Sequence, residues 1–338
     1  MSPRLRSATV LGLVLVLLGL LCGPLALVGG QAGASAARPG PAERGHGGSL
    51  LRFGAYVEGM QNDPTALATF ESLVGRPMAI ASYYYGFGDV FPGATELGFA
   101  DGGSRDVLLS WDMGPTRFEQ WAHGRYDDYL RQIAEAASSY PYPLYVRPWP
   151  EMNGDWQPFQ PTRRGDRPYG GTYRQFVAAW RHVVTYTRDH GGTNIRWVFN
   201  PTADTYRQTT PVERIWPGAR YVDVLGLDGY NWGADGSHSR WRSFRAIFTD
   251  QYHRLTALAP RLPVWVCEFG SKEPLVDDGA PVDPGHSKAS WLTDALAARH
   301  LPRLRALVYF QADKERDWRV NSSDAALTAF RNGLARLD

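Results

Sequence analysis

Past residue 50 the chain alternates between two kinds of apolar pattern. Short, nearly continuous apolar runs rich in β-branched and aromatic residues occur at 51–57, 78–84, 106–111, 144–146, 195–199, 221–227, 264–269 and 304–310. Runs of that length, apolar on both faces, suit strands buried between two layers. Between them lie longer segments whose apolar residues recur every three or four positions, the period of a helix with one buried face. Leu67, Phe70 and Val74 share one such face, Tyr126, Tyr129, Ile133 and Ala137 a second, and Phe176, Val177, Trp180, Val183 and Val184 a third. Residues 244–258, 291–298 and 325–334 also read as helices. The punctuation agrees: Asp63-Pro64 places a capping residue before a proline at the first helical position, and Thr172 caps the helix that Gly191-Gly192 ends.

Strands separated by helices predict parallel strands covered by helices. Eight such units in roughly 290 residues fit a single (β/α)8 TIM barrel of the α/β class better than an open sheet. The barrel is expected over residues 49–338, with no second domain and no internal repeat. Ahead of it, Arg4 and Arg6 precede a long apolar segment, residues 8–30, and Ala34-Ser35-Ala36 offers a cleavage site. Residues 1–36 are therefore read as a signal peptide or an uncleaved membrane anchor, and residues 37–48 as a Pro/Gly-rich linker. Both readings place the barrel outside the cell, secreted or tethered to the membrane. Leu21 stands where a lipoprotein signal needs a small residue before its cysteine, which argues against Cys22 as a lipid site.

The 338 residues carry 36 basic and 34 acidic side chains, and no basic stripe stands out, so nucleic acid is excluded as a partner. The unusual feature is aromatic: 12 Trp and 17 Tyr, enough to pack a core and still supply stacking platforms for sugar rings. Of the two cysteines, Cys22 lies in the leader and Cys267 in a buried strand, where alternation points it away from Glu268 and makes it a core residue. The eight histidines are scattered without metal-ligand spacing, Gly86-Phe87-Gly88 lacks the rest of a nucleotide fingerprint, and no serine-hydrolase elbow occurs. No metal, no cofactor and no partner chain is expected.

The chemistry is expected at two strand ends. Leu144-Tyr145-Val146 runs into Arg147, Trp149, Glu151, Asn153, Asp155 and Trp156, and Val264-Trp265-Val266-Cys267 runs into Glu268. In a barrel the C-terminal strand ends form one face, so Glu151 and Glu268 meet across its mouth. Paired carboxyl groups are what glycosidic bond cleavage requires: one gives a proton to the leaving oxygen, the other attacks or activates water. Arg147 is placed to keep one carboxylate ionised and Tyr230 to hydrogen-bond it. Asp204, Asp228 and Asp235 either orient sugar hydroxyls or cap loops, with capping preferred for all but Asp228.

These residues also carry a resemblance. RPWPEMNGDW (147–156) resembles the RxxHEMNGxW segment of glycoside hydrolase family 26, YVDVLGLDGYNW (221–232) its sixth-strand segment and VCEFGS (266–271) its seventh. The resemblance implies a retaining (β/α)8 glycosidase with Glu151 as acid/base, Glu268 as nucleophile, Tyr230 against the nucleophile and Trp156 in the cleft. Arg147, Asn153, Trp111, Trp149, Trp156, Asp228, Tyr230 and Trp232 form the expected substrate-binding set. Two positions depart from the pattern: Pro150 replaces a histidine usual before the acid/base, and Asp112 a histidine usual in mannanases of the family. The expected activity is endo-hydrolysis of a β-linked polysaccharide, β-1,4-mannan or β-1,3-1,4-glucan. Two alternatives stay open: a non-catalytic carbohydrate-binding barrel, and a glycan-trimming partner of a polysaccharide-export system.

Overall fold

The computed structural model describes residues 51–204, 209–234, 240–277, 280–281 and 283–337. The leader, the linker and Asp235 lie outside the described residues. Strands and helices follow one another as β1 (Arg52–Val57), α1 (Thr65–Val74), β2 (Ile80–Tyr85), α2 (Ala94–Ala100), β3 (Asp106–Trp111), α3 (Phe118–Ala122), α4 (Asp127–Ser139), β4 (Leu144–Pro148), α5 (Tyr173–Asp189), β5 (Ile195–Phe199), α6 (Val212–Ile215), β6 (Val224–Asn231), α7 (Phe244–Leu258) and β7 (Val264–Ser271). A two-residue hairpin, β8 (Val276–Asp277) and β9 (Ala280–Pro281), precedes α8 (Lys288–Leu296), β10 (Leu304–Gln311) and α9 (Asp324–Leu334).

Eight of the strands close a parallel barrel in the order β1-β10-β7-β6-β5-β4-β3-β2. The predicted (β/α)8 fold is the one observed. Each strand is buried on both faces, which is why its sequence reads as a continuous apolar run. One face contributes to the lumen: Ile80, Leu108, Tyr145, Val198, Val224, Trp265, Cys267, Ala306 and Val308 pack as a single cluster inside the barrel. β1 brings Gly54 to this layer, because a Cβ there would lie 2.5 Å from the Ile80 Cβ. The other face meets the helices through a much larger cluster that includes Leu109, Trp149, Trp180, Leu225 and Phe269.

The helices start where their caps are. Thr172 Oγ1 accepts from Gln175 N–H, and Gln175 Oε1 accepts from Thr172 N–H at 2.8 Å, a reciprocal capping box. Ser243, Ser287 and Ser323 cap α7, α8 and α9 in the simpler way. β6 starts three residues later than its apolar run, after a turn at Ala219–Tyr221, and continues to Asn231. Asp228 and Tyr230 therefore belong to the strand itself.

The strict alternation expected along β7 fails at one point. β6 pairs Leu227 with Val266 but Asp228 with Glu268, so Cys267 is an extra residue on β7. The bulge turns Cys267 and Glu268 toward the lumen in succession, while Phe269 faces the helices. Cys267 is a buried core residue, as expected, though it shares its side of the strand with Glu268. Among the described residues no helix is long and apolar enough to cross a membrane.

Candidate active site

Five strand ends build the site. At its base Arg147, on β4, is fully buried. Its Nη1 donates to both Asp228 oxygens, at 2.9 and 2.8 Å, and its Nη2 donates to Glu268 Oε1. Burial works against the guanidinium charge, but Asp228 and Glu268 outweigh it and push the Arg147 pKa up. Asp228 is steadied from β5, where Asn200 Nδ2 donates to its Oδ2 at 2.7 Å. Gly226 makes that possible, since a Cβ there would lie 2.2 Å from Asn200 Oδ1.

Glu268 is nearly buried and accepts from three side chains. Besides Arg147, the Tyr84 hydroxyl donates to Oε1 at 2.6 Å and the Tyr230 hydroxyl to Oε2 at 2.7 Å. Three donors, one of them charged, converge on this one carboxyl group. Glu151 has a different environment. Its carboxyl accepts one side-chain bond, from Trp156 Nε1 to Oε2 at 2.9 Å. Burial, then the charge of Glu268, push its pKa up to about 7, against the pull of Trp156 and Arg147. Two carboxyl groups on one barrel mouth thus sit in unlike surroundings, one clasped by three donors and the other with its pKa pushed up.

The backbone that carries Glu151 is unusual. Trp149 and Glu151 have φ of 48° and 53°, the left-handed region that side chains rarely adopt, on either side of Pro150. A residue before proline is expected to be extended, and Trp149 departs from that expectation. Two backbone bonds hold the turn: Trp149 N–H to Trp111 O at 3.1 Å and Glu151 N–H to Asn200 O at 2.9 Å. Folding back in this way sends the Trp149 ring into the helix layer.

Several expected sugar contacts are corrected by burial. Trp149 is enclosed by Phe118, Trp121, Phe176 and Trp180, and Trp111 by Phe91, Trp121 and Tyr129, so neither offers a face to a ligand. Asn153 spends both ends of its amide on Thr202, donating to its carbonyl at 3.1 Å and accepting from its N–H at 2.8 Å. Arg147 and Asp228 have no exposed surface, and Arg147 pairs with Glu268 as well as with Asp228. What remains open is Trp156, 40% exposed beside Glu151, with Tyr230 and Trp232 across the mouth. The Arg316 guanidinium lies 6.0 Å from the Trp232 ring. Trp318, which the sequence reading passed over, stands edge-on to Trp232 at 4.9 Å.

The reading also missed Tyr84 and Asn200. Tyr84 had a usable signal, because it shares strand parity with the lumen residue Ile80, two pleats earlier. Asn200 follows directly on the fifth strand run and had none beyond that place. Among the described residues no group of three or more His, Cys, Asp or Glu is arranged to hold a metal ion.

Residues 119–276, which contain both glutamates, match the sequence model of glycosyl hydrolase family 26. Over that segment the chain is similar to the family. Endoglucanase H of Acetivibrio thermocellus is 32% identical over 294 residues, matched across 86% of this chain and 31% of its own length. Mannan endo-1,4-beta-mannosidase A and B of Caldalkalibacillus mannanilyticus is 34% identical over 132 residues, 38% of this chain and 22% of that protein. The chain thus spans less than a third of the length of these curated relatives. The catalytic domain of the GH26 endo-beta-1,4-mannanase of Bacillus sp. JAMB-750 shares the fold, with a TM-score of 0.57 at 17% identity, over 85% of this chain and 86% of that one.

Proposed function

We propose that this barrel is a retaining endo-β-glycanase that cleaves β-linked polysaccharide by double displacement. The observation that carries the reading is the contrast between the two carboxyl groups. Glu151, with its pKa pushed up to about 7, keeps a proton to give to the leaving oxygen. Glu268, clasped by Arg147, Tyr84 and Tyr230, is ready to bond to the anomeric carbon. Having lost its proton, Glu151 then takes one from the water that releases the sugar. Trp156 fits a sugar-stacking role, since its exposed ring is tied through its own N–H to the acid. The names of the relatives, an endoglucanase and mannan endo-1,4-beta-mannosidases, favour a glucan or β-1,4-mannan as substrate. Residues 1–36 support export, and the same apolar segment would serve as a tether if it is retained.

The test is a panel of β-mannans, β-glucans and aryl β-glycosides, with Glu268→Ala as the blank. Turnover above the blank is expected on at least one polysaccharide, with the β-anomer appearing first by proton NMR. Initial α-anomer would sink the retaining assignment. Binding without turnover above the blank on every glycan would favour the carbohydrate-binding barrel instead.

A further inference from the structure

Tyr84 lies on β2, outside the segment that matches the family model. Its hydroxyl nevertheless reaches Glu268 across the barrel mouth. The two oxygens of Glu268 are not equivalent. Oε1 accepts from Arg147 Nη2 and from Tyr84, whereas Oε2 accepts, among the described residues, only from Tyr230. A carboxylate oxygen has about two acceptor sites. Those of Oε1 are filled, and one on Oε2 is open. Tyr84 is itself fixed: the Tyr56 ring stands edge-on to it at 5.0 Å, the Arg147 guanidinium lies 5.8 Å from its centroid, and Gln61 Nε2 donates to its carbonyl at 2.6 Å. Burial and the Glu268 charge push its phenol pKa up, so the hydroxyl stays a donor. Tyr56 also stacks on Phe310 at 4.9 Å, and Tyr230 stands edge-on to Phe310 at 5.7 Å. The hydroxyls on the two oxygens thus belong to one arch of rings, running from β2 through β1 and β10 to β6.

We propose that Tyr84 is a positioning residue for the nucleophile: with Arg147 it occupies Oε1 and so selects Oε2 as the atom that bonds to the anomeric carbon. The role rests on the hydrolase reading above. In the first half-reaction a lone pair on Oε2 forms the bond to the anomeric carbon and the glycosidic C–O bond breaks. Its electron pair leaves on the oxygen that takes the Glu151 proton. Oε1 becomes the carbonyl oxygen of the glycosyl ester, still facing Tyr84 and Arg147. In the second half-reaction water attacks the anomeric carbon and gives its proton to Glu151. The C–Oε2 electron pair returns to the carboxylate, whose charge spreads to Oε1, where both donors receive it.

Tyr84→Phe keeps the ring and removes only the hydroxyl. Its kcat should fall roughly 10- to 100-fold, the effect of losing one hydrogen bond to a charged group, with KM unchanged. Wild-type rates would overturn the role, and so would a loss confined to KM. Failure of the wild-type chain on every substrate is a separate result, and it sinks the hydrolase reading itself. A 2-deoxy-2-fluoro β-glycoside trapped on the wild-type chain and examined by crystallography needs no variant to fold. The ester is expected on the Tyr230-side oxygen, with Tyr84 and Arg147 still on the other. An ester on the Tyr84-side oxygen would overturn the proposal.

Discussion

Glu151 owes its proton to its surroundings. Burial and the Glu268 charge push it up to about 7, and the Trp156 N–H pulls the other way by stabilising the ionised form. A general acid must be protonated to work, so kcat/KM should fall as pH rises through about 7. Trp156→Phe removes the N–H and keeps a ring. The basic limb should then move to higher pH, by up to about one unit if the bond has the strength usual for a charged acceptor. KM should rise as well if the ring stacks on sugar. A pH–rate series on both proteins decides it, and a limb moving to lower pH would contradict the assignment of Glu151. Both glutamates were legible as residues because each ends an apolar run. The fate of Trp149 was not. The segment Arg147-Pro148-Trp149-Pro150 reads as an opening loop, and only the left-handed turn at Trp149 sends that ring back into the helix layer.

At the scale of the element, the bulge on β7 aims the nucleophile. It sets two residues of β7 against one step of β6, and a single strand's sequence holds no record of its partner's register. Alternation alone therefore placed Cys267 and Glu268 on opposite sides, whereas both face inward. Replacement and deletion of Cys267 should differ sharply. Cys267→Ala leaves the bulge and a small void, and should cost on the order of 1 kcal/mol with turnover kept within a few-fold. Deleting Cys267 removes the bulge but leaves Glu268 directly after the outward-facing Val266, still inward and opposite Asp228, so turnover should stay well above that of Glu268→Ala, with the larger loss falling on stability through the shortened strand. Thermal melts alongside the rates check both, and a folded deletion variant with turnover no higher than Glu268→Ala would refute this account of the bulge. The caps were easier to read, since Thr172 and Gln175 sit at the spacing that a reciprocal box needs.

At the scale of the whole molecule the barrel was legible because strands buried on both faces leave an unbroken apolar run, eight times over. The short helices α2, α3 and α6 were not, since four to seven residues hold too few turns to show a period. The molecule also bears a cost located at its own acid. A side chain held at φ of 53° sacrifices roughly 1–2 kcal/mol of global stability, and asparagine tolerates that conformation better than glutamate or glutamine. Glu151→Asn and Glu151→Gln both abolish the acid, but the Asn protein should melt higher, on the order of 2 °C above the Gln protein. Equal melting temperatures would remove the strain from the account. If the difference is found, selection for hydrolysis is what keeps glutamate at 151. A lineage relieved of that selection would gain robustness from the same single substitution that silences it, which makes sugar-binding descendants without turnover a short evolutionary step away.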